Sequence, residues 1–175
     1  LRVVKPFVDG EGQTVRSTTV REALIAGDVS RVAAQMGRHF ALIGTVARGA
    51  GRGEALGFPT ANIQLNEGMA VPGNGIYATL AHVGERWYMA AASIGQRPTF
   101  EGSGHAIEAF ILDYHGDLYD RQIRLEFVHR LREERKFDSV RALQDQVERD
   151  VDQTRAILAG GGCSSPISRR PLARL

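Results

Sequence analysis

A glycine-rich stretch, Gly49-Ala50-Gly51-Arg52-Gly53, is the first feature of the sequence that could bind a ligand. Glycines let the backbone approach a ligand closely and point successive N–H groups at it, which suits phosphate. Arg52 could add a forked cationic donor. The stretch matches neither the phosphate-binding loop that ends in Gly-Lys-Ser/Thr nor the dinucleotide fingerprint. On its own, such a stretch more often marks a mobile turn.

Thr60 and Asn62 follow this loop and are separated by one residue. In extended backbone, both side chains point to the same side. A hydroxyl and an amide oxygen placed side by side are hard, neutral ligands suited to Mg²⁺, which also binds phosphate oxygens and water. From the residues alone, a turn in which both side chains make local hydrogen bonds is the simpler interpretation.

Glu108 is an acid within an apolar segment. On a strand it would share one face with Ala106, Phe110 and Leu112, and the opposite face is apolar as well. Burial disfavours the ionised form of a carboxyl group, and such a group can accept a proton near neutral pH. An equally good interpretation places Glu108 at the frayed start of the strand, facing water.

The segments that carry these residues alternate between apolar and polar positions, which indicates strands. The alternation covers residues 40–46, 76–83, 86–94, 106–114 and 122–129. Five or six strands with no helix between them predict an antiparallel sheet, and closing that sheet into a barrel would remove its exposed edges. The fold class is therefore predicted to be mainly β.

Helices are predicted on both sides of the strands. Thr19 and Glu22 have capping-box spacing for a first helix, and Asp28 can cap a second one that ends at Gly37. A third helix is predicted over about residues 139–159, with an apolar stripe that could lie on the barrel. That stripe consists of Val140, Leu143, Val147, Val151 and Leu158. Serines, prolines and arginines dominate the rest of the chain, which predicts disorder there.

Composition and charge exclude several classes of protein. The 175 residues are 43% hydrophobic and 24% charged, as in a globular domain, and no apolar run is long enough to span a membrane. A net charge of +2 and an aromatic content of 7% do not suit a nucleic-acid-binding surface. The single cysteine, Cys163, cannot form an internal disulfide, which predicts a cytoplasmic location. We expect no nucleic-acid or membrane partner.

The order of the motifs resembles that of the riboflavin kinase family. A Pro-Thr-Ala-Asn element at 59–62 follows the glycine-rich loop, and further similar blocks lie at 75–77, 93–100, 108–113, 116–119 and 131–137. The resemblance implies a six-stranded antiparallel Greek-key barrel with a C-terminal helix, preceded by short N-terminal helices. It also implies transfer of the γ-phosphoryl group of ATP to the ribityl 5′-hydroxyl of riboflavin, giving FMN, with Mg²⁺ accompanying ATP.

The resemblance further implies roles for individual residues. Glu108 would be the catalytic base, and Thr60 and Asn62 would bind the Mg²⁺ ion. The nucleotide site would be lined by Gly49, Gly51, Arg52, Gly53, Thr60, Asn62, Ile111, Asp113 and Tyr119. The flavin or its new phosphate would contact Arg132, Arg135 and Phe137, although Phe137 could instead be a hydrophobic staple for the final helix.

Three regions are predicted along the chain. Residues 1–37 would be a helical linker or the remnant of an adenylyltransferase module, because residues 17–21 resemble the last motif of that module in bacterial bifunctional FAD synthetases. Residues 38–159 would form the kinase barrel with its helix, and residues 160–175 a disordered tail. The alternatives are a flavin-binding barrel without kinase activity and a fragment of a bifunctional FAD synthetase whose adenylyltransferase module is missing. A nucleic-acid-binding barrel would require more aromatic residues.

Overall fold

The computed structural model describes residues 7–10, 12, 14–49, 53, 57–66, 68–97 and 104–160. Two short helices precede a set of strands, and a long helix follows them. The helices are α1 (Ser17–Ile25), α2 (Val29–Met36) and α3 (Val140–Gly160). The strands are β1 (Phe40–Ala47), β2 (Ala61–Gln64), β3 (Gly75–Val83), β4 (Arg86–Arg97), β5 (Gly104–Ile111) and β6 (Gln122–Arg132).

The strands form one closed antiparallel barrel in the order β1-β2-β5-β4-β3-β6. Strands β3, β4 and β5 are consecutive neighbours, and β6 returns to pair with β3, which is a Greek-key arrangement. Pairing of β6 with β1 closes the barrel, so that each of these strands has a partner on both edges. The fold class predicted from the sequence is confirmed.

Apolar side chains that alternate along the strands fill the barrel. The largest side chains that are fully buried inside it are Leu42, Tyr77, Ile94, Ile123, Leu125 and Phe127. The rings of Tyr77 and Phe127 meet edge to face, with their centroids 5.4 Å apart. Because successive residues on a strand face opposite sides, the residues between these positions face outward. One of them, Glu126, is nevertheless buried and forms an ion pair with Arg124.

The observed strands differ from the predicted ones at several places, and β4 extends three residues past its predicted end, to Arg97. Residues 61–64 form a separate strand that was too short to stand out by its alternation. Strand β5 ends at Ile111 and does not reach Tyr114, because the chain turns at Asp113, which has a φ of 58°. Strand β6 continues past the predicted end to Arg132.

Helix α2 packs beside β1 and β6, and α1 packs on α2. Helix α1 starts after Arg16, so the predicted cap at Thr19 is wrong: Thr19 lies in the first turn, and its Oγ1 accepts a hydrogen bond from the Arg16 N–H at 3.1 Å. The second predicted cap is confirmed, because Asp28 accepts a hydrogen bond from the Arg31 N–H at 3.0 Å. The C-cap of α2 is Gly37, which has a left-handed conformation.

Helix α3 lies against β3, β4 and β6 and buries polar as well as apolar side chains. The predicted apolar stripe is wrong at one end, since Val140 is 63% exposed, whereas Leu158 at the other end is buried. The polar side chains that α3 buries are Gln146, Asp150 and Thr154. Apolar periodicity cannot reveal such residues, because they are buried through hydrogen bonds.

None of the helices in the described part of the chain is long and apolar enough to cross a membrane. Helix α3 continues to Gly160, one residue beyond its predicted end. Residues 161–175, including Cys163, lie outside the described residues, and so does most of the segment that was predicted to be disordered.

Candidate active site

Glu108 lies on the outer face of β5, between polar residues of the two neighbouring strands. It pairs with Asn62 of β2 on one side and with Ser93 of β4 on the other. Its neighbours in sequence, Ile107 and Ala109, point into the barrel and are buried. Directly paired residues of antiparallel strands have side chains on the same face, with Cβ atoms about 4.5–5.5 Å apart. Asn62 and Glu108 are therefore immediate neighbours. Glu108 is half-buried in the middle of β5, so it lies neither in the barrel core nor at a frayed start of the strand.

Thr60 lies just before β2 and joins this pair. Its hydroxyl donates a hydrogen bond to Glu108 Oε2 at 3.3 Å. The described residues contain no cluster of three or more His, Cys, Asp or Glu side chains that could bind a metal ion. The hydroxyl of Thr60 and the amide of Asn62 lie next to one carboxylate. Such a group binds a metal ion less tightly than three or more charged ligands would, and it suits a Mg²⁺ ion that is also bound by phosphate oxygens.

Two glycines that follow β1, Gly49 and Gly53, pack directly on these two side chains. A Cβ atom at Gly49 would overlap the amide nitrogen of Asn62, and one at Gly53 would lie 3.0 Å from Thr60 Oγ1 and overlap the carbonyl oxygen of Phe58. The Phe58 N–H donates a hydrogen bond to the Gly53 carbonyl at 2.9 Å. Glycine is needed at both positions because any larger residue would displace the proposed metal ligands or the backbone beside them.

A cavity of about 320 Å³ opens next to this group, at the end of the barrel where β1 and β5 end. Its lining includes three of the residues predicted for the nucleotide site, namely Thr60, Ile111 and Tyr119. Sequence analysis missed Tyr114 and Leu118, which also line it and which belong to the connection between β5 and β6. Tyr114 was not predicted as a site residue because the alternating pattern placed it at the end of a strand.

Arg48 places a positive charge at this end of the barrel. Its guanidinium carbon lies 4.6 Å from the ring centroid of Tyr119, within the range of a cation–π contact. Asp117 Oδ1 fixes the backbone of Tyr119 by accepting a hydrogen bond from its N–H at 2.8 Å. Sequence analysis missed Arg48, although its place directly before the glycine-rich loop was a signal. Gly51 and Arg52, which were predicted for this site, lie outside the described residues.

Asp113 faces α3 and is not among the residues that line the cavity. Its two carboxylate oxygens each accept a hydrogen bond from Arg155 at 2.8 Å. These hydrogen bonds, together with the positive charge of the guanidinium, lower the pKa of the Asp113 carboxyl. Assignment of Asp113 to the nucleotide site remains a prediction.

The three residues predicted to contact the flavin lie together near the end of β6. The guanidinium carbons of Arg132 and Arg135 lie 5.8 Å and 4.9 Å from the ring centroid of Phe137. Phe137 is half-buried, whereas Arg135 is exposed. The structure thus brings together an aromatic ring and two cations, which is a suitable surface for a planar ring system or an anion.

One row of paired residues connects this cluster with Glu108 around the outside of the barrel. Arg132 pairs with Ile76, Ile76 pairs with Ser93, and Ser93 pairs with Glu108. Three strand spacings of about 4.8 Å separate the backbones of Arg132 and Glu108 by about 14 Å. The aromatic cluster and the carboxylate are therefore at the two ends of one surface.

Comparison with known proteins identifies a family to which this chain is similar. The family model described as "Flavokinase: Riboflavin kinase" matches residues 36–158. A curated relative from Pseudomonas fluorescens, the bifunctional riboflavin kinase/FMN adenylyltransferase, is 40% identical over 153 residues, which are 87% of this chain and 49% of the relative. The chain thus spans about half the length of the curated relatives that it matches.

Two solved structures are similar in fold. A crystal structure of a protein named as a macrolide-efflux protein from Streptococcus pneumoniae has a TM-score of 0.82 and 34% identity, over 87% of this chain and 50% of that one. Riboflavin kinase from Trypanosoma brucei has a TM-score of 0.51 and 26% identity, over 69% of this chain and 80% of that one. Since the family model covers most of the barrel and α3, the chain belongs to the riboflavin kinase family.

Proposed function

We propose that this chain transfers the γ-phosphoryl group of ATP to the ribityl 5′-hydroxyl of riboflavin and thereby forms FMN. Membership of the riboflavin kinase family supports the choice of both substrates. The observation that carries the proposal is the group formed by Thr60, Asn62 and Glu108. In it, a carboxylate that can accept a proton lies directly beside two neutral oxygens that can bind a phosphate-associated cation.

Glu108 is the general base of the proposed reaction. Its carboxylate accepts the proton of the 5′-hydroxyl while the hydroxyl oxygen forms a bond to the γ-phosphorus. The bond between that phosphorus and the oxygen bridging to the β-phosphate breaks, and ADP leaves with the bridging oxygen. The hydrogen bond from Thr60 keeps the carboxylate oriented toward the side where phosphate binds.

Thr60 Oγ1 and the amide oxygen of Asn62 would be the protein ligands of the Mg²⁺ ion that accompanies ATP. The ion would supply neutralisation of the charge on the phosphate oxygens. The Asn62 amide lies against Gly49, where an added Cβ would meet its nitrogen, carbon and oxygen atoms. Gly49 therefore leaves the space that this amide occupies.

The two substrates reach Glu108 from different sides. ATP occupies the cavity lined by Ile111 and Tyr119, where Arg48 provides a positive charge. Riboflavin lies along the outer surface between Phe137 and Glu108, with its ring near Phe137 and its ribityl chain directed toward the carboxylate. An elongated substrate with a ring at one end and a hydroxyl at the other matches the separation of these two groups.

Incubation of the chain with riboflavin, ATP and Mg²⁺, followed by chromatography for FMN, tests the proposal directly. Glu108→Gln keeps the shape of the side chain and removes its ability to accept a proton. We expect this variant to lose a factor of roughly 10²–10⁴ in kcat while it still binds riboflavin. Glu85→Gln, in the exposed turn between β3 and β4, is the matched control and should turn over normally.

Two results would contradict the proposal in different ways. If the unsubstituted chain forms no FMN, the chain is not a riboflavin kinase in this form. If Glu108→Gln turns over at nearly the normal rate, Glu108 is not the base.

A further inference from the structure

Asp150 of α3 is a buried acid whose carboxylate is bound by other side chains of the protein. It is 3% exposed. Arg132 donates to it from Nε, at 2.9 Å to Oδ1, and from Nη2, at 2.6 Å to Oδ2. Gln146, one turn earlier on α3, donates from Nε2 to Oδ1 at 2.8 Å. A charged side chain in such a buried position needs these partners, because burial of an unpaired charge is costly.

Gln146 extends this network to a second arginine. Its Oε1 accepts a hydrogen bond from Nη2 of Arg135, and its side chain is 8% exposed. The amide thus connects Asp150 with Arg135. Since both arginines also lie over the ring of Phe137, all three residues proposed to meet the flavin are connected to two side chains of α3.

The two arginines differ in how much of each guanidinium remains for a ligand. Arg132 donates from Nε and Nη2 to Asp150 and from Nη1 to the carbonyl of Glu133 at 2.9 Å. Each of its three nitrogens therefore already has a protein acceptor. Arg135 is exposed, and its hydrogen bond to Gln146 uses only Nη2.

Residues 133–137 contain neither helix nor strand. Their position is therefore not fixed by a ladder of backbone hydrogen bonds, and side-chain contacts must fix it. A helix that only had to be docked could use apolar side chains, because a buried ion pair contributes little net stability compared with well-packed apolar residues. The buried polar network is better explained by the need to fix the geometry of this segment.

We propose that Asp150 and Gln146 are positioning residues for the flavin site of the proposed kinase, and that they act through Arg132 and Arg135. Arg132 is then also a positioning residue, and Arg135 and Phe137 are the side chains that contact the flavin. The inference rests on the proposed function, since it takes riboflavin as the ligand of this cluster.

Asp150→Asn tests the inference because it keeps the size of the side chain and removes its charge. We expect the KM of riboflavin and its Kd, measured by quenching of flavin fluorescence, to rise roughly 10- to 100-fold, while the KM of ATP stays unchanged; supporting partners of ligand contacts in metal sites have effects of this size. Asp145→Asn, an identical change at an exposed position of the same helix, should leave these constants unchanged.

A double-mutant cycle shows whether Asp150 acts through Arg132. The variant that combines Asp150→Asn with Arg132→Gln should be no more impaired in riboflavin binding than the worse single variant, because both changes break one link. Gln146→Met removes the link to Arg135 without removing a buried charge. It should raise the KM of riboflavin. If Asp150→Asn does not fold, this variant tests whether the side chains of α3 position the flavin site.

The inference is overturned if Asp150→Asn or Gln146→Met raises the KM values of both substrates equally, or if it lowers only the melting temperature. Either result would mean that α3 is merely docked by these residues. An unsubstituted chain that forms no FMN contradicts the proposed function. An active chain in which both variants have a normal KM for riboflavin contradicts this inference alone.

Discussion

Asn62 shows how its neighbours make a neutral side chain a candidate metal ligand. Its backbone pairs with Glu108, and its amide nitrogen is packed against Gly49. These contacts restrict where the side chain of Asn62 can lie. The Thr60 hydroxyl lies on the same side, since it bonds to the same glutamate. The local turn that was the simpler interpretation of the sequence does not explain this convergence on a residue 48 positions away.

The first prediction concerns the two proposed metal ligands. Thr60→Ala and Asn62→Ala should each raise the KM of ATP and lower kcat. The effect of the double variant should be smaller than the sum of the two single effects, because both oxygens serve one ion. The measurement is the dependence of FMN formation on ATP and Mg²⁺ concentration, with Thr45→Ala on the exposed face of β1 as the control. Normal Mg²⁺-ATP binding by the double variant would place the ion elsewhere.

The second prediction concerns Gly49→Ala, which adds a single carbon atom. The added Cβ would overlap the amide of Asn62 and force it to move. A displacement of about 1 Å in a positioning group can cost roughly 10²-fold in rate, so we expect kcat/KM for ATP to fall by about that factor. Circular dichroism should show an unchanged fold. Gly10→Ala, where an added Cβ meets nothing within 4 Å, should behave like the unsubstituted chain.

At the scale of elements, the sequence predicts the features that follow from alternating apolar positions and from local motifs. The strands of the barrel, the cap at Asp28 and the Pro-Thr-Ala-Asn element at 59–62 belong to that class. Such features depend on spacing within one segment or on a family motif.

The features that the sequence did not reveal join polar residues of different elements. The ion pair of Arg132 with Asp150 spans 18 positions, and neither residue interrupts an apolar pattern in a way that identifies its partner. The contact of Arg48 with Tyr119 likewise depends on how the end of β1 meets the connection between β5 and β6. Partners of this kind are determined by the closed barrel and not by local propensity.

Tyr77 of β3 gives a prediction about the stability of the barrel. Its hydroxyl donates a hydrogen bond to the Gly73 carbonyl, and burial raises its pKa above the ordinary value of 10.0. The folded state therefore favours the neutral phenol. This contribution to stability is fully present below the unfolded pKa and is lost as the pH rises through the higher folded pKa.

We therefore expect the free energy of unfolding to fall above about pH 10, and to fall less steeply in Tyr77→Phe. Denaturant titrations at several alkaline pH values measure this slope. Tyr119→Phe removes an exposed tyrosine, 44% accessible, and should keep the slope of the unsubstituted chain. Equal slopes in all three proteins would show that Tyr77 does not control alkaline stability.

At the scale of the whole molecule, α3 connects the two ends of the proposed site. Arg155 bonds to Asp113 just after β5, at the end with the cavity that is proposed to bind ATP. Asp150 bonds to Arg132 at the end of β6, beside Phe137. The two contacts are five residues apart, about 7.5 Å along the helix axis. One rigid helix therefore spans the two regions that are proposed to bind different substrates.

The last prediction concerns which flavin product the 175-residue chain can make. We expect FMN but no FAD. FAD formation requires the FMN phosphate to attack the α-phosphorus of ATP, with pyrophosphate as the leaving group. In the proposed reaction the base and the metal ligands serve attack at the γ-phosphorus, and a misplacement of about 1 Å can already cost roughly 10²-fold. The relatives named as both riboflavin kinase and FMN adenylyltransferase are about twice as long, since the chain covers 49% of one of them.

The test supplies the purified chain with FMN, ATP and Mg²⁺ and assays for FAD and pyrophosphate, while a parallel reaction with riboflavin shows that the preparation is active. A chain that forms FMN in the second reaction and nothing in the first behaves as a kinase alone. Sustained formation of FAD would require a second site where the α-phosphorus can be attacked. That site would have to involve residues 1–37 or an assembly of several chains, because the group at Glu108 is proposed to serve attack at the γ-phosphorus.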